Sequence, residues 1–417
     1  MIARDIIPEF RSRCEGHEDF AQAFTGLYNA LMGLVPRGIR MHEGTGLPFY
    51  TGYSYGTLYD WDQYFEAILQ FYCGLPTCYA ANAISLFVRQ QRESGHIVRT
   101  VPECSWSKRE HVKPFLCQTA FLCYLVDGHL SWLDEKLFTG LSSYLDHWLL
   151  HLTPRGSGFP VWDCASHSGM DNHMERAGSS GAAFCEGVDL ASYLVRETLA
   201  MSLLARILGR DADAERFRGE SEALRARMLQ QMWDDRESMF FDIDARTGSR
   251  IQVKHAGAFA ALWSRVATPE QARAMIEGQL LSEDQFWTPF PIPALARSEP
   301  GYAEGFLAGD TKGCCSWRAH TWAPTNYYVV HGLGNYGCDK VARDLANRTF
   351  EMFFYYPFHE YYTSEKGIGT GLCPFWGWSA LALFLPLETA LGADPTELAI
   401  GNDSIAIVRE AAMGIAR

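Results

Sequence analysis

VDLASYLVRETLAMSLLARILG, residues 188–209, has the apolar periodicity of a long α-helix. Gly209 ends this helix, and one helical face carries four aliphatic side chains, Leu199, Leu203, Leu204 and Ile207. A second helix starts near Asp60 and repeats the pattern on one face, with Phe65, Ile68, Leu69 and Tyr72. Long helices are therefore the predicted building unit of the fold.

Similar amphipathic segments continue along most of the chain, at 17–34, 77–92, 115–127, 135–151, 211–233, 254–265, 269–281, 324–332, 338–355 and 375–391. With the first two they make about a dozen helices, separated by loops rich in glycine, proline and aromatic residues. Strand signals are few, although Met239–Ile243 and Arg250–Val253, joined through Thr247-Gly248, could form one hairpin. Without an alternation of strands and helices, the sequence predicts an all-α fold.

Two all-α architectures are compatible with these helices, an open solenoid of helix pairs or the same pairs closed into an (α/α)6 toroid. A solenoid should repeat one motif at a fixed period, and no such motif is visible. Long loops of unequal length are usually functional, and they occur here at 42–59, 153–186, 283–320 and 356–373. We therefore expect one toroidal domain over 1–417, with aromatic-rich loops on one rim and segments 153–186 and 283–313 as a candidate lid.

Composition narrows the class of protein. The 417 residues include 36 basic and 49 acidic side chains, a net charge of −13, and 47% are hydrophobic, which excludes a wholly disordered chain. The acidic balance argues against nucleic acid or an anionic membrane as partner. No apolar run is long enough to span a membrane, and the charged segment 1–20 is unlike a secretory signal, so a cytoplasmic location is expected. The 12 cysteines are scattered, without CxxC or HExxH patterns, and we expect small buried hydrophobes and no metal.

Chemistry-bearing residues concentrate in four segments outside the predicted helices. In the first, Tyr59 to Phe65, Trp61 and Asp62 could bind a sugar through stacking and hydrogen bonds, although Asp60 or Asp62 could simply cap a helix. The second is the loop from Trp162 to His173. Its Asp171 is either a turn former or a catalytic acid.

The remaining two segments lie in the last third of the chain. Ser316 to Tyr328 combines aromatic and polar side chains, among them Trp317, Arg318 and Trp322. Tyr356 to Tyr362 places Glu360 between aromatic residues, and a second aromatic cluster, which includes Trp376, follows at 375–379. Burial would raise the pKa of Glu360 unless a cation such as Arg318 pairs with it.

Paired carboxylates beside aromatic platforms suit glycoside hydrolysis. One carboxylic acid protonates the leaving oxygen, and the other activates water or attacks the anomeric carbon. This chemistry needs no cofactor. An epimerase using His167, His320 and His359 as acid and base, or a non-catalytic sugar-binding protein, is the alternative.

The four segments, in this order, resemble the catalytic domain of glycoside hydrolase family 63 and, more distantly, the trehalases. The resemblance is carried by Trp61, Asp62 and Phe65, by SGMDN at 168–172, by Trp317, Arg318, Trp322, Asn326 and Tyr327, by Phe358, Glu360 and Tyr362, and by GWS at 377–379. It implies an (α/α)6 barrel and an inverting mechanism, with Asp171 as general acid and Glu360 as general base. An inverting pair should be roughly 6.5–9.5 Å apart.

Compact members of this family resemble mannosylglycerate and glucosylglycerate hydrolases, which implies a small α-glucoside or α-mannoside as substrate. The sequence departs from them at His173–Arg176 and Ala319-His320, and Trp322–Pro324 is closer to the trehalases, so a neutral α-glucosyl disaccharide is the alternative. The expected partner is a small glycoside, and a homo-oligomer is left open.

The predicted substrate pocket draws on all four segments. Its sugar-binding residues are Tyr59, Trp61, Asp62, Gly169, Trp317, Trp322 and Trp376, together with Gln118 near the start of the helix that follows Phe115. If the aglycone is glycerate, its carboxylate needs a guanidinium partner, for which Arg176 and Arg318 are the candidates.

Overall fold

The computed structural model describes residues 19–173, 175–176, 185–305 and 315–416. Their α-helices are α1 Phe20–Leu34, α2 Asp60–Tyr72, α3 Cys78–Arg89, α4 Leu116–Asp127, α5 Glu135–Asp146, α6 Ala165–Ser168, α7 Val188–Ile207, α8 Asp211–Gln231, α9 Ala260–Trp263, α10 Pro269–Met275, α11 Ala323–Gly334, α12 Asp339–Tyr355, α13 Leu381–Leu391 and α14 Ser404–Ala416. Within these residues no helix combines the length and the apolar character that crossing a membrane requires.

Six helices form an inner ring and are buried on nearly all sides. All thirteen residues of α2 are buried, as are eleven of the twelve in α11. Neighbours pack in the order α2, α4, α7, α9, α11, α13, and the ring closes where Tyr72 of α2 donates a hydrogen bond to Glu388 of α13 at 2.8 Å. This arrangement is the predicted (α/α)6 toroid.

The outer helices bury only one stripe each. In α8 the buried positions recur every three or four residues, at Ala214, Phe217, Ser221, Leu224 and Met228. Each outer helix returns the chain to the starting end of the next inner helix, so the inner helices run parallel. Their N-termini, and the loops that enter them, therefore share one rim.

Strands are short and decorate the loops. They are β1 Ile39–Met41, β2 Pro48–Tyr50, β3 Leu58–Tyr59, β4 Thr100–Val101, β5 Cys185–Glu186, β6 Trp233–Asp234, β7 Met239–Phe240, β8 Ile243–Asp244, β9 His320–Thr321, β10 Tyr361–Thr363 and β11 Gly369–Thr370. The antiparallel pairs are β1–β2, β3–β4, β5–β8, β6–β7 and β11–β10–β9. The last of these sheets ties the loop of Trp317 to the loop of Glu360.

The predicted hairpin is only partly correct. The chain does reverse after β8, where Ile243 bridges to Arg250, but β7 pairs backward with β6 and β8 pairs with the distant β5. The alternating pattern identified extended segments without revealing their partners.

One helix boundary and one additional helix also differ from the prediction. Residues 375–380 form a loop before α13, because they pack as a turn against Gly52, whose carbonyl accepts the backbone N–H groups of Trp376 and Gly377 at 2.8 Å. Helix α14 was not predicted. The candidate lid segments 153–186 and 283–313 extend into 177–184 and 306–313, outside the described residues, as does most of segment 1–20.

Candidate active site

A cavity of about 650 Å³ opens on the rim formed by the N-termini of the inner helices, and it contains both predicted catalytic carboxylates. Its described lining comes from five segments at or before the N-termini of inner helices. It consists of Tyr55, Tyr59, Trp61, Asp62, Arg99, Trp106, Ser166, Gly169, Asp171, Cys315, Trp317, Trp322, Glu360 and Trp378. The volume is in the range of a site for a molecule of disaccharide size.

The SGMDN segment presents Asp171 to the cavity through a tight turn. Ser168 fixes the turn by donating to Ala165 O at 2.7 Å and accepting from Met170 N–H at 3.1 Å. Gly169 has φ +85°, and a Cβ there would lie 2.9 Å from the Trp61 ring, so only glycine fits. Asn172 Oδ1 accepts a hydrogen bond from the backbone N–H of Trp317 at 2.7 Å. This bond links the loop that carries Asp171, the acid loop, to the loop that carries Trp317.

Both carboxylate oxygens of Glu360 accept a hydrogen bond. Leu372 N–H donates to Oε2 at 2.9 Å, and the Cys315 thiol donates to Oε1 at 3.2 Å. One residue earlier, His359 O accepts the Ser379 hydroxyl at 2.6 Å. In the GWS motif, Ser379 therefore fixes the backbone beside Glu360 through this hydrogen bond, and Trp378 lines the cavity.

Burial raises the pKa of both carboxylic acids. For Asp171 the pKa rises to about 6, because burial outweighs the opposing charges of Arg99 and Lys113, and Glu360 adds to the increase. For Glu360 burial also raises the pKa, while the hydrogen bonds from Leu372 and Cys315 oppose it.

A buried charge network lies behind Asp171. Asp60 accepts from Lys113 Nζ and from the Lys113 backbone N–H, at 3.2 and 3.0 Å. Arg99 lies between Asp60, at 3.7 Å, and Glu110, at 3.1 Å, and also donates to Ser166 O. Asp60 is therefore a structural counter-ion. The helix-cap alternative is wrong for both acidic residues, since the N-cap of α2 is Tyr59 and Asp62 faces the cavity.

Four tryptophans form the cavity floor. Trp317 and Trp322 stack in parallel at 3.7 Å between ring centroids, and Trp61 and Trp378 approach this pair at 5.7 and 5.9 Å. Asp62 lies beside them, and burial together with the neighbouring charge of Asp60 raises its pKa to about 8. A protonated Asp62 can both donate to and accept from sugar hydroxyls.

Residues 55–379 match the model of the mannosylglycerate hydrolase MGH1-like glycoside hydrolase domain. The chain belongs to this family. The matched span contains every described residue that lines the cavity, from Tyr55 to Trp378. The resemblance to glycoside hydrolase family 63 is thereby confirmed.

Relatives of this glycoside hydrolase family member support the same assignment. Mannosylglycerate hydrolase from Rubrobacter radiotolerans is 28% identical over 203 residues, which are 47% of this chain and 42% of that protein, so the chain matches less than half of that relative's length. The crystal structure of GH63 mannosylglycerate hydrolase from Thermus thermophilus in complex with glucose has a TM-score of 0.70 at 20% identity, over 87% of this chain and 99% of that one. Neutral trehalase from Saccharomyces cerevisiae reaches 0.64 at 18%, over 90% and 78%. The two structures share the toroid fold.

Most of the sugar-binding residues predicted from the sequence meet in the cavity. Those that line it are Tyr59, Trp61, Asp62, Gly169, Trp317 and Trp322. Trp376 does not, because its indole N–H points into the core and donates to the Tyr50 hydroxyl at 2.9 Å. Gln118 is also placed elsewhere, since its side chain accepts from Arg196 Nε at 2.9 Å inside the helix bundle.

Neither arginine proposed for an aglycone carboxylate lines the cavity. Arg176 is buried in a bidentate pair with Asp189, at 2.7 and 2.8 Å, and its Nε contacts Asp242 at 2.7 Å. Arg318 Nε contacts Glu175 at 2.9 Å. Arg318 therefore pairs with a carboxylate four residues after Asp171, and not with Glu360 as considered above. Both guanidinium groups hold loops in place.

The three histidines of the epimerase alternative also lie outside the described lining. His167 contacts Asp163 and His111 O, and His320 packs edge-on against Tyr361. His359 Nδ1 lies 3.3 Å from Tyr356 O.

Sequence reasoning missed six lining residues, Tyr55, Arg99, Trp106, Ser166, Cys315 and Trp378. Ser166 and Trp378 belong to segments that were already singled out, so their motifs gave a usable signal. Arg99 and Trp106 gave none, because their loop is brought to the cavity by long-range contacts, the pairing of β3 with β4 and the ion pair of Arg99 with Asp60. Cys315, expected to be a buried hydrophobe, instead contacts Glu360.

Proposed function

We propose that this chain is an inverting α-glycosidase that hydrolyses a small α-mannoside or α-glucoside, with Asp171 as general acid and Glu360 as general base. The observation that carries the proposal is the meeting of these two carboxylic acids, each with a raised pKa, in one cavity floored by tryptophan. The family membership of residues 55–379 and the name of the Rubrobacter relative favour mannosylglycerate or glucosylglycerate as first substrates to test.

In this mechanism the sugar ring stacks on the tryptophan floor, and Asp62 binds its hydroxyls. The Asp171 carboxyl transfers its proton to the glycosidic oxygen as the bond to the anomeric carbon breaks. Glu360 takes a proton from a water molecule, whose oxygen bonds to the anomeric carbon from the opposite face. The products are the inverted sugar and the free aglycone, and proton exchange with solvent restores both carboxyl groups.

The test compares Asp171→Asn and Glu360→Gln on a natural glycoside and on the matching α-glycosyl fluoride. Both variants should lose roughly 10²–10⁴-fold in kcat on the glycoside. Fluoride leaves without a full proton transfer, so Asp171→Asn should recover much of its rate on the fluoride, whereas Glu360→Gln should not. NMR of the first product should show the β-anomer. Retention of the α-configuration, or unchanged turnover in either variant, would contradict the proposal.

The proposal also includes a second candidate substrate and a cellular location. A neutral α-glucosyl disaccharide remains the second candidate substrate, because neutral trehalase shares the fold. A cytoplasmic location fits an enzyme acting on a pool of small solutes, and fractionation of the native host tests it.

A further inference from the structure

The aglycone has to lie on the side of the cavity where the acid stands, since Asp171 protonates the oxygen that joins the two parts of the substrate. Arg99 lies on that side, because its guanidinium donates to Ser166 O in the loop that carries Asp171. The Arg99 guanidinium lies 5.9 Å from the Tyr59 ring and 5.8 Å from the Trp106 ring. The wall beyond the acid is therefore formed by Tyr59, Arg99 and Trp106.

This wall is aromatic and open to solvent. Trp106 is 56% exposed, and Tyr55, which meets Tyr59 edge-on and extends the wall, is 38% exposed, so both rings present apolar surface to solvent at the cavity. Each ring is braced by a neighbour: Tyr55 stacks on Tyr53 at 4.1 Å, Tyr59 meets Tyr55 edge-on at 5.8 Å, and Trp106 lies 6.3 Å from Tyr59. Rigid, solvent-facing aromatic rings of this kind suit the apolar C–H face of a pyranose.

The charges of the same wall disfavour an acidic aglycone. Arg99 is the one cation among the described lining residues, and its guanidinium already contacts Glu110 at 3.1 Å and Asp60 at 3.7 Å. The acidic lining residues are Asp62, Asp171 and Glu360, of which the proposed mechanism leaves Glu360 ionised. An aglycone carboxylate would find no cation without a carboxylate partner among the described lining residues and would share the cavity with the ionised Glu360, whereas a neutral hydroxylated ring meets no like charge.

We propose that Trp106, Tyr55 and Tyr59 form an aglycone subsite that takes a neutral pyranose or polyol in preference to a carboxylate. The inference rests on the proposed glycosidase function and narrows its substrate class. It also makes Trp106 a specificity residue, because this indole is the most exposed surface on which a second ring can stack.

The decisive experiment uses pairs of substrates that differ in one group. Glucosylglycerol and glucosylglycerate, and the corresponding mannosyl pair, share the sugar and the three-carbon aglycone, and only the latter of each pair has a carboxylate. The wild-type chain should have a kcat/KM at least about tenfold higher for the neutral member. A higher kcat/KM for the glycerate compound would overturn the proposed preference while leaving the glycosidase function intact.

Trp106→Ala tests the stacking surface. It should raise KM for a neutral disaccharide such as kojibiose or trehalose roughly tenfold, and leave the hydrolysis of α-glucosyl fluoride, which has no second ring, within about twofold of wild type. Tyr355→Ala removes another exposed aromatic side chain, outside the cavity lining, and should leave the kinetics on both substrates unchanged. Equal losses on disaccharide and fluoride, or no loss on either, would refute the role of Trp106. Absence of hydrolysis of the fluoride by the wild-type chain would instead remove the glycosidase function itself.

Discussion

Replacing Gly371 by alanine should slow catalysis without touching either catalytic residue. Gly371 has φ +73°, and a Cβ at this position would lie 2.7 Å from Glu360 Oε2 and 2.5 Å from the Tyr361 ring. Both neighbours are held in place, since Tyr361 begins β10 and Glu360 Oε2 accepts the Leu372 N–H. The added methyl group therefore displaces the carboxylate that we propose as the base.

The size of the effect follows from the distance. Ordinary contact begins at 3.4 Å, so the Glu360 oxygen has to move by about 0.7 Å from its 2.7 Å position. A displacement of about 1 Å of a reacting group can cost about 100-fold in rate, and about 0.7 Å should cost roughly tenfold to fiftyfold in kcat. KM should change little, because the tryptophan floor and Asp62 are untouched. The left-handed backbone adds a stability loss of about 1–2 kcal/mol.

The matched control is Gly392→Ala. Gly392 has φ +63°, and a methyl group there would have no atom within 4 Å, so the variant carries the same backbone cost without a clash. Steady-state kinetics on the best glycoside, with thermal unfolding of both variants, separate the two effects. Both should melt lower than wild type, and only Gly371→Ala should lose kcat. If Gly371→Ala kept kcat within about threefold of wild type, the argument that this turn positions Glu360 would be wrong.

Three further predictions concern titrating groups. The kcat/KM of the wild type should decline as the pH rises above about 6, the pKa of Asp171, because the acid must carry its proton; a profile flat through this range would contradict the assignment. Cys315→Ala removes a hydrogen bond that lowers the pKa of Glu360, so the acidic limb should move to higher pH, while Cys315→Ser should keep it in place. His331 has a carboxylate at each ring nitrogen, Glu388 at 2.9 Å and an aspartate at 3.2 Å, which outweigh burial and raise its pKa. The charged His331 ring stabilises the folded chain fully below about pH 6.5, and this stabilisation is lost as the pH rises through the higher folded pKa. An NMR titration that finds a folded pKa of His331 at or below 6.5 would refute this prediction.

The fold was predictable because most helices of the toroid carry their own local signal. The segment 115–127 was predicted and Leu116–Asp127 is observed, and 211–233 corresponds to Asp211–Gln231. The prediction failed where long-range packing decides the outcome. Residues 375–380 look helical, yet the backbone N–H groups of Trp376 and Gly377 bond to Gly52 O, more than 300 residues away.

The candidate site was predictable where a motif specifies both residue and surroundings. Asp171 was placed in the cavity in this way, since its own segment contains the turn residues Ser168 and Gly169 that present it. Glu360 was recognised from its aromatic neighbours, whereas its hydrogen-bond partners Leu372 and Cys315 lie outside its segment. Arg176 and Trp376 were misplaced because their partners, Asp189 and Tyr50, lie in other segments. A charge or an indole is equally visible in a sequence whether it faces a ligand or a buried neighbour, and only the fold distinguishes the two.

The hydrogen-bond environment also indicates which carboxyl group holds the proton, independently of the family resemblance. Both Glu360 oxygens accept hydrogen bonds, from an amide and a thiol, which stabilises the ionised form. Burial is the main cause of the raised pKa of Asp171, and the negative charge of Glu360 raises that pKa further. When the pair shares a single proton, the two hydrogen bonds on Glu360 favour the arrangement in which Asp171 holds that proton. This is the state in which one group can donate to the glycosidic oxygen while the other can activate water.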